Sequence, residues 1–373
     1  MEAFVLLSES PAHGRFAVKK KSRRNQSRES SWSFDVSILG CGSFGTALAT
    51  LLAENERRVR VWVRSRAQAD EINRRHSNRE FFPKRPLPHN IEASTDLAAA
   101  VTGAPLLIFA VPSKAFREVA RQVGDHLQGD QILLHCTKGL EPRTFKRMSE
   151  IVREESCALK VGVISGPTFA AELMAGQPAG ASVASHFDEV ALRAQALFAG
   201  SPLRLYRGHD VIGTEIGGAF KNIIALLSGA AHGLGFGDNT RALIVTRGLG
   251  EMTRYGVALG AEAETFRGLA GIGDLLVTCS STLSRNFRVG MRFAQGEKLD
   301  SILRTASQVV EGIPATQVVY EQAKQLKLDL PFVRAVYGAF YQKLPLKDLL
   351  VKLTGRPLKA EQDLLPRSGR KAR

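Results

Sequence analysis

The ten residues VSILGCGSFG, Val36 to Gly45, restrict the fold of this chain more than any other stretch. A run of strand character leads straight into G-x-G-x-x-G, and the apolar, alanine-rich segment TALATLLAEN follows. Glycines at this spacing suit a strand-to-helix turn that holds a dinucleotide pyrophosphate. Gly40 permits the tight turn, Gly42 lets the backbone approach the phosphates, and Gly45 lets the helix pack closely on the strand. The helix is expected to open near Thr46, with an amino end that favours negative charge. An ordinary tight loop is the competing explanation, and the strand before and helix after weigh against it.

The rest of the chain fits that start. Strand-like runs (VSIL, VRVWVR, LLIFAV, QILLHC, VGVIS, GASVAS, PLRLY) alternate with helical patterns to about Tyr206. Such alternation predicts crossover units in a mostly parallel sheet with helices on both faces. Beyond Asp210 alanine- and leucine-rich stretches replace the strands as far as about Thr354. The expected architecture is α/β: an N-terminal Rossmann-like doubly wound domain binding NAD(P), residues 34–208, then an all-α substrate and catalytic domain, 209–355. Residues 1–33 lack hydrophobic period and read as a disordered basic leader, and 356–373 as a mobile polar tail. The leader's Arg and Ser content also fits an organellar transit peptide, but Glu2, Glu9 and Glu29 oppose this. A cytoplasmic protein is expected, an organellar one being the alternative.

The formal charge of +15 has two sources. Residues 1–34 hold seven Lys/Arg against three Asp/Glu, and 355–373 hold six against two, so the ends carry more than half of it. The remainder fits an anionic small ligand about as well as a nucleic acid, and no aromatic RNA-binding motif or zinc-finger spacing supports the latter. No apolar stretch reaches the roughly 18 residues of a membrane span, so no integral membrane segment is expected. Cys41, Cys136, Cys157 and Cys279 are too scattered for a metal site or a disulfide framework.

Several residues are candidates for chemistry. About 20 residues past a dinucleotide turn, an acidic side chain normally accepts from the ribose 2′-hydroxyl. Here the chain reads Arg64-Ser65-Arg66, which matches a 2′-phosphate and favours NADP over NAD. Pro112, Lys138 and the Gly166-Pro167-Thr168 turn follow later strands on the edge where ligands gather. Lys221 interrupts an otherwise apolar helix, where lysine is seldom buried without a partner or a task. A lysine with a lowered pKa there serves acid/base chemistry, whereas one reaching solvent has no role. The adjacent Gly217 and Gly218 predict close approach of another backbone or a ligand. Asp274 follows a glycine-rich turn and is placed to orient the ammonium, with Thr278 on the same helix face. Ser284, Arg285 and Asn286 supply a helix start and a guanidinium fork suited to phosphate.

Taken together, GCGSFGTALA, FAVPS, TKGLE, SGPTFAAE, IGGAFKNIIA, LAGIGDLLVTC, SRNFRVG and VVEGIPAT resemble the glycerol-3-phosphate dehydrogenases of the bacterial NAD(P)-dependent type, from Val36 to about Leu353. The resemblance implies reversible reduction of dihydroxyacetone phosphate to sn-glycerol 3-phosphate for phospholipid synthesis, with NADP or NAD as cofactor. It makes Lys221 the proton donor and acceptor, with Asp274 beside it. Lys138, Gly166, Thr168, Thr278, Ser284, Arg285 and Asn286 become substrate ligands. Ser43, Phe44, Arg64, Ala170, Val309 and Glu311 become cofactor contacts, shared in part by Lys138 and Arg285. Thr168 stands where the family often has serine. A homodimer is expected. A β-hydroxyacid dehydrogenase is the neighbouring alternative, and a non-catalytic NADP-binding sensor or membrane-surface protein is the more distant one.

Overall fold

The computed structural model describes residues 32–305 and 309–354. The expected tail, 356–373, and all but the last two residues of the expected leader lie outside the described residues. Eight strands form one sheet: β1 (Val36–Leu39), β2 (Val59–Trp62), β3 (Ile91–Ser94), β4 (Leu106–Phe109), β5 (Ile132–His135), β6 (Val161–Ser165), β7 (Ala179–Ser185) and β8 (Leu203–Gly208). Their order is β3-β2-β1-β4-β5-β6-β7-β8, and every pairing is parallel except β6 with β7. The helices between them are α1 (Ser43–Glu54), α2 (Arg66–Arg75), α3 (Leu97–Thr102), α4 (Ser113–Gly124), α5 (Met148–Glu155), α6 (Ala170–Met174) and α7 (Asp188–Phe198). Strands β1, β4, β5 and β6 are buried along their whole length, which is why they read as unbroken apolar runs. The order reverses between β1 and β4, the switch point beside which such sheets take their ligands.

Two expectations need correction. The strand LLIFAV is the fourth, not the third, because β3 was not legible: its sequence IEAS alternates buried with more exposed positions at the sheet edge and carries little apolar signal. Helix α1 opens at Ser43, not near Thr46, because Gly42 takes the extended capping conformation and its carbonyl already accepts from Thr46 N at 2.9 Å.

The second half is helical: α8 (Val211–Gly233), α9 (Asp238–Ala258), α10 (Asp274–Ser280), α11 (Arg285–Ala294), α12 (Leu299–Thr305), α13 (Gly312–Gln325), α14 (Pro331–Tyr341) and α15 (Leu346–Thr354). Helix α8 is the axis of this bundle. On length and composition it is long and apolar enough to cross a membrane, which the sequence reading had not recognised. Twenty of its 23 residues are buried, however, as befits the central helix of a core. It meets α11 backbone to backbone: a Cβ on Gly229 would lie 2.0 Å from Phe287 O, and one on Gly290 would lie 2.0 Å from Leu226 O. Each glycine costs its helix about 1 kcal/mol relative to alanine, and only glycine allows this approach.

Candidate active site

The glycine turn has the geometry a pyrophosphate needs. Gly40 adopts φ +101°, and a Cβ on Gly45 would stand 2.0 Å from Gly40 O. Above Gly42 the nearest atom to such a Cβ is a ring carbon of Phe81 at 3.9 Å, so backbone N–H groups at the start of α1 lie beside open space. Buried Asn78 holds this turn from behind, donating to Cys41 O at 3.0 Å and Thr46 Oγ1 at 2.9 Å and accepting from Gln68 at 3.3 Å. These residues fit a dinucleotide. Arg64 is exposed just past β2, Ser65 caps α2 by accepting from Gln68 N, and Arg66 pairs with Asp70 at 3.4 Å. Ser43 and Phe44 form the first turn of α1, half-buried.

The turn is linked to the bundle through the next loop. Gly40 packs on Val111, whose carbonyl accepts from Thr137 Oγ1 at 2.7 Å. Pro112 precedes α4, and Ser113 at its start donates through N (3.1 Å) and Oγ (2.6 Å) to Glu311, at the amino end of α13. Burial raises the Glu311 carboxyl pKa above its usual range, while Ser113 and Arg285 draw it back. Arg285, exposed at the start of α11, donates to Val309 O at 2.8 Å. Ser284 caps α11, and Asn286 donates to Asn222 Oδ1 at 2.8 Å while accepting from Gly312 N at 2.9 Å.

The centre is a lysine pair around one carboxylate. Lys221 Nζ donates to Asp274 Oδ1 and, at 3.0 Å, to Thr278 Oγ1, while Lys138 Nζ donates to Asp274 Oδ2 at 2.9 Å. Lys138 stands past β5 on the sheet side, and Lys221 and Asp274 belong to the bundle, so the junction closes across the two halves of the chain. Burial drives the Lys221 pKa down from its ordinary 10.5 to about 7; Asp274 opposes the fall and the Lys138 charge adds to it. Thr278 sits one turn after Asp274 and donates to its carbonyl at 2.5 Å. Gly217 faces Ala270 O, which a Cβ would approach to 2.2 Å, and Gly218 faces Ser165 Oγ and the Lys138 stem. The expected close approaches are thus both present.

The remaining candidates lie on the loop after β6. Gly166 backs onto β7, Thr168 Oγ1 donates to Gly166 O at 3.1 Å, and Ala170 opens α6. The sequence reading did not single out Ser113, Asn78 or Asn222. Asn222 had a signal, as a second polar residue beside Lys221 in an apolar helix; Ser113, at the start of α4, and Asn78, in a loop, had none.

A doubly wound sheet with a glycine turn, facing a helical bundle that presents a buried lysine, is the layout of the two-domain nicotinamide-dependent dehydrogenases. Family models named NAD-dependent glycerol-3-phosphate dehydrogenase N-terminus and C-terminus match residues 35–191 and 210–351. The chain is 44% identical over 331 residues to a glycerol-3-phosphate dehydrogenase (NAD(P)+) of Enterococcus faecalis, covering 88% of this chain and 97% of that one. It is 42% identical over 337 residues to the protein of that name from Shouchella clausii, covering 89% and 99%. A crystal structure of glycerol-3-phosphate dehydrogenase from Coxiella burnetii superposes with TM-score 0.84 at 33% identity, covering 87% of this chain and 99% of that one. The chain belongs to the NAD(P)-dependent glycerol-3-phosphate dehydrogenase family.

Proposed function

We propose that the chain catalyses reversible, NAD(P)-dependent interconversion of dihydroxyacetone phosphate and sn-glycerol 3-phosphate, with residues 34–208 holding the dinucleotide and 209–355 supplying the bundle side of the site. The observation that carries this reading is the Lys221, Asp274 and Lys138 junction at the carboxyl edge of the sheet. The nicotinamide, when bound, supplies or accepts the hydride. Lys221, with a pKa of about 7, gives its proton to the carbinol oxygen in reduction and takes it back in oxidation. As negative charge grows on that oxygen, the two ammonium groups stabilise it. Asp274 orients Lys221, and Thr278 holds Asp274 and Lys221 in line.

Arg285, with Gly166, Thr168 and Ser284, receives the substrate phosphate, whose binding energy serves orientation at the distant carbonyl. Asn286 orients the remaining hydroxyl. Gly40, Gly42, Ser43, Phe44, Gly45, Ala170, Val309 and Glu311 line the cofactor site. Arg64 meets a 2′-phosphate, which makes NADP the preferred partner. A homodimer in the cytoplasm completes the reading, checked by light scattering and cell fractionation.

The test follows nicotinamide oxidation by purified chain with dihydroxyacetone phosphate, using NADH and NADPH in parallel, and with a β-hydroxyacid pair as the competitor. Turnover on the phosphate substrate, lost in Lys221→Ala with NADPH binding retained, is expected. Turnover on the hydroxyacid alone, or undiminished turnover in Lys221→Ala, overturns the assignment.

A further inference from the structure

A second buried carboxylate joins the two halves of the molecule away from the lysine pair. Glu215 lies near the start of α8 with its side chain 3% exposed. Oε1 accepts from Ser149 N at 2.8 Å; Oε2 accepts from Ser149 Oγ at 2.7 Å and from the Arg147 guanidinium at 2.7 Å. His135 Nε2 approaches Oε1 to 3.1 Å, off the hydrogen-bonding axis. All these partners belong to the sheet half: His135 ends β5, and Arg147 and Ser149 stand at the amino end of α5. Burial pushes the Glu215 pKa up, but the groups facing it, His135, Arg147 and Ser149, pull it further down, so the carboxylate stays charged.

Its neighbours explain why a charge is kept there. Elsewhere near its start α8 meets the sheet through Val211 packed with Val163 and Ala184, and through Gly218 against Ser165. Apolar contact fixes how far apart two surfaces lie but leaves sliding and rotation loosely defined, whereas hydrogen bonds to both oxygens of a carboxylate fix direction. Glu215 is six residues before Lys221 on the same helix, about 9 Å along its axis. His135 is three residues before Lys138 on the same segment. The contact therefore stands at the root of both arms that reach Asp274.

We propose that Glu215 is a positioning residue for the reaction: bound by Arg147 and Ser149 and faced by His135, it sets the register and rotation of α8 against the sheet so that Lys221 meets Lys138 across Asp274. The inference rests on the dehydrogenase reading above.

The experiment is steady-state kinetics of the full chain with dihydroxyacetone phosphate and NADPH, together with fluorescence titration of NADPH. Glu215→Gln keeps the shape and removes the charge. Its kcat is expected to fall on the order of 10- to 100-fold, as misplacement of a reacting group by about 1 Å would cause. Its NADPH Kd stays within about twofold, and the kcat profile against pH shifts, because Lys221 is held differently. Combining Glu215→Gln with Arg147→Met costs no more than Glu215→Gln alone, since both variants break one network. Ser149→Ala removes a single donor and lowers kcat a few-fold; it decides the matter if Glu215→Gln does not fold. A wild-type chain inactive on dihydroxyacetone phosphate overturns the function itself and this inference with it. An active wild type with kcat unchanged in Glu215→Gln and Ser149→Ala overturns the inference alone, as do equal losses of kcat and NADPH affinity.

Discussion

Asp274→Asn preserves side-chain size and deletes the charge that Lys221 and Lys138 share. Asp274 is the group that holds the Lys221 pKa up against burial and against the Lys138 charge; Thr278 and the buried, protonated Cys279 complete its surroundings. Opposite unit charges about 3 Å apart, at an effective dielectric near 20, attract by about 5 kcal/mol. At 1.36 kcal/mol per pH unit that is about four units. Water entering the altered pocket and the dipole of the amide recover part of it, so the Lys221 midpoint should fall by at least about two pH units.

The sign differs for the two directions. Reduction needs the protonated lysine and declines as pH rises through the wild-type midpoint of about 7, whereas oxidation needs the neutral lysine and increases through it. In Asp274→Asn both limbs move to more acid pH, and reduction at pH 7 drops by about 50-fold for a two-unit fall, as the protonated fraction goes from about one half to about one hundredth. The assay is kcat at saturating substrates in each direction from about pH 5.5 to 9, with NADPH binding measured alongside. Limbs that stay near pH 7 in the variant would refute the idea that this carboxylate sets the charge of the lysine.

Three other perturbations test separate parts of the molecule. Arg64→Ala should weaken NADPH by about 10- to 100-fold, the loss of one charge-assisted contact, and leave NADH unchanged; equal weakening of both would remove Arg64 from cofactor choice. Asn78→Ala strips the support of the glycine turn, so thermal unfolding should show a loss of about 1–3 kcal/mol and NADPH should bind more weakly, while the substrate KM holds. Unchanged NADPH affinity would mean the turn needs no backing. Burial raises the Glu251 pKa from an ordinary 4.5 to about 7, although the Phe332 and Val333 amides at the start of α14 pull it down. The folded chain therefore holds the extra proton between these values, and its stability contribution is present at acid pH and lost as pH rises through about 7. Urea midpoints at pH 5 and 8 should show that loss in the wild type and less of it in Glu251→Gln; identical pH dependence in both would contradict it.

What could be foreseen from the sequence was whatever local geometry imposes. Gly40 and Gly45 announce a turn because a missing Cβ is needed within five residues. Asp274 and Thr278 announce a shared face because a helix repeats every 3.6 residues. Lys221 announces itself by contrast with its apolar neighbours. The contacts that were invisible join distant, chemically ordinary residues. Ser113 meets Glu311 across 198 positions, Asn78 meets Cys41 across 37, and Ser149 meets Glu215 across 66. No spacing rule reaches that far, and polar residues in loops or at helix ends look alike whether they face water or a partner. Helix α8 was not recognised as one long apolar helix for a related reason: glycine and serine within it look like interruptions, but they are where its neighbours press in.

The seam at Gly229 and Gly290 makes α8 and α11 a single strut, so Lys221 and Asn222 travel with Arg285 and Asn286. Any opening of the cleft that spares the Glu215 anchor must then part Lys138 from Asp274 and Ser113 from Glu311. Arg285 and Lys221 then stay assembled on one jaw, while the glycine turn, Gly166 and Thr168 stay on the other. The bite of the jaws is therefore what brings the bundle's Arg285 and Lys221 up to the sheet's Thr168 and Lys138.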